Sequence, residues 1–215
     1  MTGIAAGLTM RLDACTGRLV DEAFQGMVGI RDQRGGSGAG TVWHADGLVV
    51  TNSHVAGDGE LEIRLPGGGV TRGKVIARES DLDLAAVMAE AENLHTIAPG
   101  RSSELRAGQW VMALGFPWGG PGAATAGMVA GVGDDASRGY RPRGEWVTVS
   151  LRLRPGYSGG PLLDAAGRLV GVNTMMTGPN AGMAVPVRQV KAFLMRALGL
   201  EGTGAEDESQ SLRVN

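Results

Sequence analysis

Between Met27 and Val187 the chain is a succession of short apolar runs cut by glycine-rich turns, and this punctuation limits the fold more than any other feature. Of 215 residues, 37 are glycine. Inside a helix each glycine costs about 1 kcal/mol relative to alanine, whereas turns and close backbone approaches use it freely. TVWH and LVVTN flank Ala45-Asp46-Gly47 and read as a hairpin, and ELEIRL and VTRGKVIAR flank Pro66-Gly67-Gly68-Gly69 as a second. DLAAVM, WVMALG, ATAGMVAGV, EWVTVSL, GPLLD, RLVGVNTMM and AGMAVPV follow as further strands. Many short strands at close spacing predict an all-β barrel or sandwich. Aromatic residues make up only 4% of the chain, so its core has to be built from Val, Leu, Ala and Met.

Two helical patterns frame this region. Leu8, Leu12, Cys15, Leu19, Ala23 and Met27 fall near one face of a helix over residues 7–26. After Pro186, the positions of Val187, Val190, Leu194, Ala197 and Leu198 predict a packed helix over 187–199. The expected organisation is a helical segment at 1–26, one domain at 27–199 with lobes near 27–97 and 108–187, and a polar, disordered tail at 200–215.

A net charge of −2 offers no surface for nucleic acid or for an anionic membrane. The local cluster Arg138, Arg141, Arg143, Arg152 and Arg154 reads as a solvated loop and strand end. Cys15 is the single cysteine, so no intrachain disulfide can form. No segment approaches the ~20 apolar residues of a membrane helix, and the N-terminus lacks the basic start and apolar run of a signal peptide. The expectation from these features is a cytoplasmic protein with no cofactor.

The sharpest local signal is Gly156-Tyr157-Ser158-Gly159-Gly160-Pro161. It also fits the nucleophile elbow of α/β-hydrolases, which requires a histidine after the serine. The three histidines, His44, His54 and His95, all precede Ser158, so the remaining orders are His…Asp…Ser and Asp…His…Ser. A serine hydroxyl needs a neighbouring base, and that base needs a third group to fix its tautomer. His54 is the best candidate for the base because it follows the strand LVVTN and precedes Ala56-Gly57, at an element end that can face a cleft. His44 and His95 read as structural or surface histidines. The histidines lack metal-ligand spacing and no cysteine pair is available, so no metal site is expected.

Several ordered segments resemble the HtrA (Deg) serine proteases: GSGAGTVWHADGLVVTNSHVAG, the triplet Asp83-Leu84-Ala85, LGFPWGG, PGYSGGPLLDAAGRLVGVNT and AGMAVPV. The resemblance runs from about Met27 to Val187. It implies a chymotrypsin-like fold of two six-stranded β-barrel lobes with a helix at each end. It further implies that His54, Asp83 and Ser158 form a catalytic triad, with oxyanion donors from the backbone of Gly156 and Ser158. Asp81 is the rival for the acidic role but lacks the Asp-aliphatic-Ala context. The specificity pocket would be lined near Leu153, by Val172, Asn173 and Thr174, and by Gly182, Met183 and Ala184, which suits a small aliphatic residue at P1. An inward Arg152 or Arg154 would instead favour an acidic residue.

The family usually has Asn where this chain has Tyr157, so the ring is expected to crowd the oxyanion loop or meet substrate. No Asp precedes Ser158 to pair with a new N-terminus, so no activating cut is expected. Loops 115–122 and 138–144 are the expected props of the serine loop. Partners implied are protein or peptide substrates, a homo-oligomer (a trimer, by resemblance) and an activating protein. The rival to an active endopeptidase is a latent or catalytically silent peptide-binding or chaperone-like module on the same fold.

Overall fold

The computed structural model describes residues 2–133, 144–178 and 180–200. Arg138, Arg141 and Arg143, and the tail from Glu201, lie outside the described residues. Helix α1 (Thr2–Gln25) leads into a first barrel of β1 (Met27–Arg31), β2 (Ser37–Val42), β3 (Leu48–Thr51), β4 (Glu60–Arg64), β5 (Val70–Glu79) and β6 (Leu84–Ala89). A second barrel follows, of β7 (Trp110–Gly115), β8 (Ala123–Gly133), β9 (Trp146–Ser150), β10 (Pro161–Asp164), β11 (Leu169–Gly178) and β12 (Ala181–Pro186). A short helix α2 (Ser53–Ala56) sits between β3 and β4, and helix α3 (Val187–Ala197) ends the described fold. Both sheets close on themselves, in the orders β1-β2-β3-β6-β5-β4 and β10-β11-β12-β9-β8-β7, with antiparallel pairing throughout. Closure removes the open strand edges that would invite aggregation.

The alternation of side chains explains why β3 and β6 read as unbroken apolar runs. Val49, Ala85 and Val87 point into the first barrel with Val28, Leu61 and Ile63. Leu48, Val50, Leu84 and Ala86 point the other way, onto Trp146, Val172, Met183 and Val185 of the second barrel. Val190, Phe193 and Leu194 of α3 complete this inter-barrel core. Two buried faces leave no polar face to alternate with. Each fully buried Val or Leu contributes about 1.5–3 kcal/mol, and here that burial also welds the barrels along the wall that carries the functional residues.

Helix α1 starts earlier than its periodicity predicts and stops at Gln25, so Met27 belongs to β1 rather than to the helical face. Gly26 breaks the helix: its N–H donates to Ala23 O at 3.0 Å, and its carbonyl accepts from Val42 N at 2.9 Å. Cys15 is exposed on α1. Alkylating it should leave the peptidase activity that the resemblance implies unchanged, and a reducing agent should leave the thermal midpoint where it was. An activity assay on iodoacetamide-treated protein checks the first, and melting curves of untreated protein with and without reductant check the second.

Candidate active site

His54 and Asp83 come from the same end of one antiparallel strand pair, one after β3 and the other before β6. β3 ends at Thr51, where it lies opposite Ala85 of β6. Asn52 caps α2, which carries His54, and Asp83 ends the 3₁₀ turn Ser80–Leu82 that feeds β6. Asp83 has φ 52° and ψ 44°, a left-handed conformation that Asp tolerates better than most residues. The conformation is held by its own carbonyl, which accepts from Asn52 Nδ2 at 2.9 Å and from Ser53 N at 3.2 Å. The Asn of the T-N-x-H segment thus has a physical role, because from a fully buried position it pins the peptide beside the carboxylate. Arg78 of β5 steadies the other side of α2 by donating to the carbonyls of Ser53 and Gly57.

The Asp83 carboxylate meets three donors. Oδ1 accepts from the backbone N–H of His54 at 3.1 Å. Oδ2 lies 2.8 Å from His54 Nδ1 and 2.5 Å from the Thr174 hydroxyl. Burial pushes the Asp83 carboxyl up, but the hydrogen bonds from His54 and Thr174 and the charge of His54 outweigh it and hold the group below its ordinary 3.8. An acceptor at Nδ1 places the proton there and leaves Nε2 as the free lone pair. His54 itself stays half-open, with 51% of its side chain exposed.

Ser158 approaches from the second barrel. Its carbonyl accepts from Ala39 N at 2.8 Å, tying the serine loop across to β2. Its hydroxyl donates to Thr174 O at 2.8 Å rather than to His54. Thr174 therefore touches both halves of the site, with its hydroxyl on Asp83 and its carbonyl on Ser158.

Among the described residues the backbone N–H groups of Gly156 and Ser158 have no protein acceptor. The peptide plane that carries the Gly156 N–H is set from behind. Its carbonyl, Pro155 O, accepts from Trp118 N at 3.2 Å, and in a trans peptide the N–H then points the opposite way. The next carbonyl, Gly156 O, accepts from Phe116 N at 2.9 Å. Gly156 has φ 101°, and a Cβ there would strike the carbonyl of Phe116, so only glycine fits. Of the two loops expected to support the serine loop, 116–118 does so by these two bonds, and residues 134–143 lie outside the described set.

Tyr157 neither crowds the oxyanion loop nor faces a cleft. Its side chain is buried with Leu153 and Leu162, and the missing side chain of Gly115 makes room, since a Cβ there would lie 3.0 Å from Tyr157 Cγ. Burial pushes the Tyr157 phenol above its ordinary value, against the pull of the Arg154 charge.

The expected pocket residues divide by strand face. Val172 and Met183 are buried in the inter-barrel core, so their side chains are not available to a ligand. Asn173 is buried too, with Nδ2 donating to Pro161 O at 2.9 Å. Gly182 and Ala184 face the second barrel, and Leu153 packs directly against Gly182. Arg154 lies with Cζ 5.5 Å from the centre of the Trp118 ring, and Arg152 is exposed. Asp81, His44 and His95 are all exposed, and His44 pairs with Asp46 at 3.4 Å. The residues that sequence reasoning missed are Asn52 and Arg78, and it placed Thr174 in the pocket rather than on the carboxylate.

Among the described residues no three His, Cys, Asp or Glu side chains converge as a metal site, and no helix is long and apolar enough to cross a membrane.

Residues 38–172, which include His54, Asp83 and Ser158, match the trypsin-like peptidase domain family. The chain is 36% identical over 158 residues to the putative serine protease HhoB of Synechocystis, covering 71% of this chain and 38% of that protein. It is 34% identical over 164 residues to the mitochondrial serine protease HTRA2 of Bos taurus, covering 74% and 36% respectively. It spans about a third of the length of the curated relatives it matches. Among solved structures, the HtrA-type protease AlgW with a tripeptide superposes with a TM-score of 0.77 at 26% identity, covering 83% of this chain and 62% of that one. Two closed barrels, the ordered segments from the glycine-rich strand to the serine loop, and these matches together place the chain in the trypsin-like peptidase family, with a peptidase domain of the HtrA type.

Proposed function

We propose that this chain is a serine endopeptidase in which Ser158 is the nucleophile, His54 the general base and acid, and Asp83 the group that orients the base and stabilises its charged form. The observation that carries the proposal is the Asp83–His54 pair at 2.8 Å beside a serine loop whose Gly156 and Ser158 N–H groups have no acceptor among the described residues. Ser158 Oγ turns from Thr174 O toward Nε2, gives its proton to His54 and bonds to the substrate carbonyl carbon. The carbonyl oxygen takes the negative charge and accepts from these two N–H groups, each worth about 3 kcal/mol of barrier. Collapse breaks the C–N bond, Nε2 protonates the leaving amine, and an acyl-Ser158 ester remains. Water, deprotonated by His54, then releases the acid and restores Ser158.

The second reading is a latent peptide-binding module, favoured by the Ser158 hydroxyl's bond to Thr174 O. A fluorophosphonate probe separates the two, because only an assembled site reacts well. Stoichiometric labelling of dilute protein supports the endopeptidase. Labelling that requires added peptide, a partner or self-association, including a trimer, supports latency. No labelling under any of these conditions, with full folding retained, overturns the proposal.

For specificity, the buried Leu153 side chain fills the space beside Gly182 that a large P1 side chain would need, and Arg154 is engaged by Trp118. We therefore assign small aliphatic P1 residues. A peptide library should show Ala or Val at P1 cleaved at least about tenfold faster than Asp, the discrimination that one pocket contact supplies. A preference for Asp would return Arg152 or Arg154 to the pocket.

A further inference from the structure

Arg64 is the residue whose position is not explained by the fold alone. It ends β4 in the first barrel, yet its guanidinium serves the second. Nη1 donates to Gly119 O at 3.2 Å and Nη2 to Gly120 O at 3.1 Å. Its Cζ lies 4.9 Å from the centre of the Phe116 ring. The side chain crosses β1 at Gly29, its register partner, where a Cβ would sit 3.2 Å from Arg64 Nε. Among the described residues no carboxylate lies within ion-pair distance of it, so its charge is met by two carbonyl oxygens and an aromatic face.

The segment it holds is the one that sets the oxyanion donors. Phe116 N and Trp118 N donate to Gly156 O and Pro155 O, and the latter bond fixes the peptide plane bearing the Gly156 N–H. Trp118 pays for this geometry with φ 52° and ψ 28°, a left-handed conformation costly for a bulky aromatic, and 68% of the residue is exposed. Little buried contact at Trp118 opposes relaxation of that strain. The carbonyls of the two residues that follow are the ones Arg64 grips.

We propose that Arg64 is a positioning residue for the oxyanion hole. It clamps the 116–120 turn from the first barrel, and the turn in turn keeps the Pro155–Gly156 peptide in the orientation that offers its N–H to substrate. Without the clamp, Trp118 relaxes out of its strained conformation, its N–H leaves Pro155 O, and the peptide is free to rotate its carbonyl into the oxyanion position. The proposal rests on the reading of Ser158 as nucleophile for its kinetic consequence, but not for its structural one.

The test uses the full chain with Arg64→Met, which keeps the stem and removes the donors, and Arg64→Lys, which keeps the charge but cannot bridge two carbonyls. Hydrogen–deuterium exchange reads the clamp directly: amides of Phe116 and Trp118 should exchange about tenfold or more faster in Arg64→Met, with those of β1 and β4 unchanged. With a fluorophosphonate probe, the maximal inactivation rate should fall by ~10²-fold, the scale of losing one oxyanion donor. The probe concentration at half-maximal rate should stay within about threefold, because a positioning loss is felt at the transition state. Arg64→Lys should lie between the two. If Arg64→Met does not fold, Arg64→Lys carries the same comparison. Unchanged exchange over 116–120 in a folded variant overturns the clamp. Faster exchange with an unchanged inactivation rate overturns its link to the oxyanion hole. A wild-type protein that never reacts with the probe counts against the peptidase reading instead, and the exchange result still decides the clamp.

Discussion

Ser158→Ala should remove peptidase activity by ~10⁶ in kcat, the loss seen when the Ser or His of a triad is deleted. The change is close to silent for the fold. The described hydrogen bond of the Ser158 side chain is the one from Oγ to Thr174 O, and an ordinary hydrogen bond contributes about 1 kcal/mol. The backbone bonds that shape the loop, Ala39 N to Ser158 O and Gly159 N to Asn173 O, need no hydroxyl. The melting midpoint should therefore move by no more than a few degrees while turnover disappears, and the two measurements on one preparation separate chemistry from unfolding. His54→Ala should be equally damaging. Turnover that persists in purified Ser158→Ala protein would falsify the assignment of the nucleophile.

Much of this site is visible in the chain because its parts sit at element ends, where turn chemistry and motif coincide. The strand LVVTN and the glycines around Ser158 mark such ends without any coordinates. The barrels were legible for the same reason: Gly47 has φ 92°, and Gly67 and Gly68 have φ 85° and 94°, at the turns the sequence punctuates. What was not legible depends on distant segments meeting. Thr174 reaches Asp83 across 91 positions of sequence, after a register shift in β11 between Asn173 and Met175. Val172 and Met183 look like pocket residues in a linear motif, yet strand alternation turns them to the other barrel. Tyr157 reads as a steric problem until Gly115, on a strand paired elsewhere, is seen to leave room for it. Met27 fits a helical stripe by spacing, but Gly26 ends the helix first and barrel closure claims Met27 for β1.

Asp83→Asn is the change that isolates the role of charge from the role of shape. Asn accepts the left-handed backbone as readily as Asp, and the bonds from Asn52 and Ser53 go to the main-chain carbonyl, so the turn should survive. The side chain cannot satisfy its old partners. The backbone N–H of His54 requires an acceptor at the Oδ1 position, which sends the new amide nitrogen to the Oδ2 position, facing His54 Nδ1. A donor there forces Nδ1 to accept, moves the imidazole proton to Nε2 and leaves no lone pair for the Ser158 proton. The Thr174 hydroxyl can rotate to accept from the same amide and so reinforces the wrong tautomer. We expect kcat to fall by ~10⁴, the loss measured for this change in another Ser-His-Asp enzyme, with folding intact. Asp81→Asn, on an exposed side chain, should stay within a few-fold of wild type. A pH series adds a second signature. A carboxyl held below its unfolded value stabilises the protein fully above that value, and the contribution is lost as pH falls through the folded value. The wild type should thus lose this increment of stability below about pH 4, starting near 3.8 and continuing downward, while Asp83→Asn should lack that part of the acid limb. If Asp81→Asn proves the more damaging of the two, or Asp83→Asn keeps the acid limb unchanged, the carboxylate that serves His54 is not Asp83.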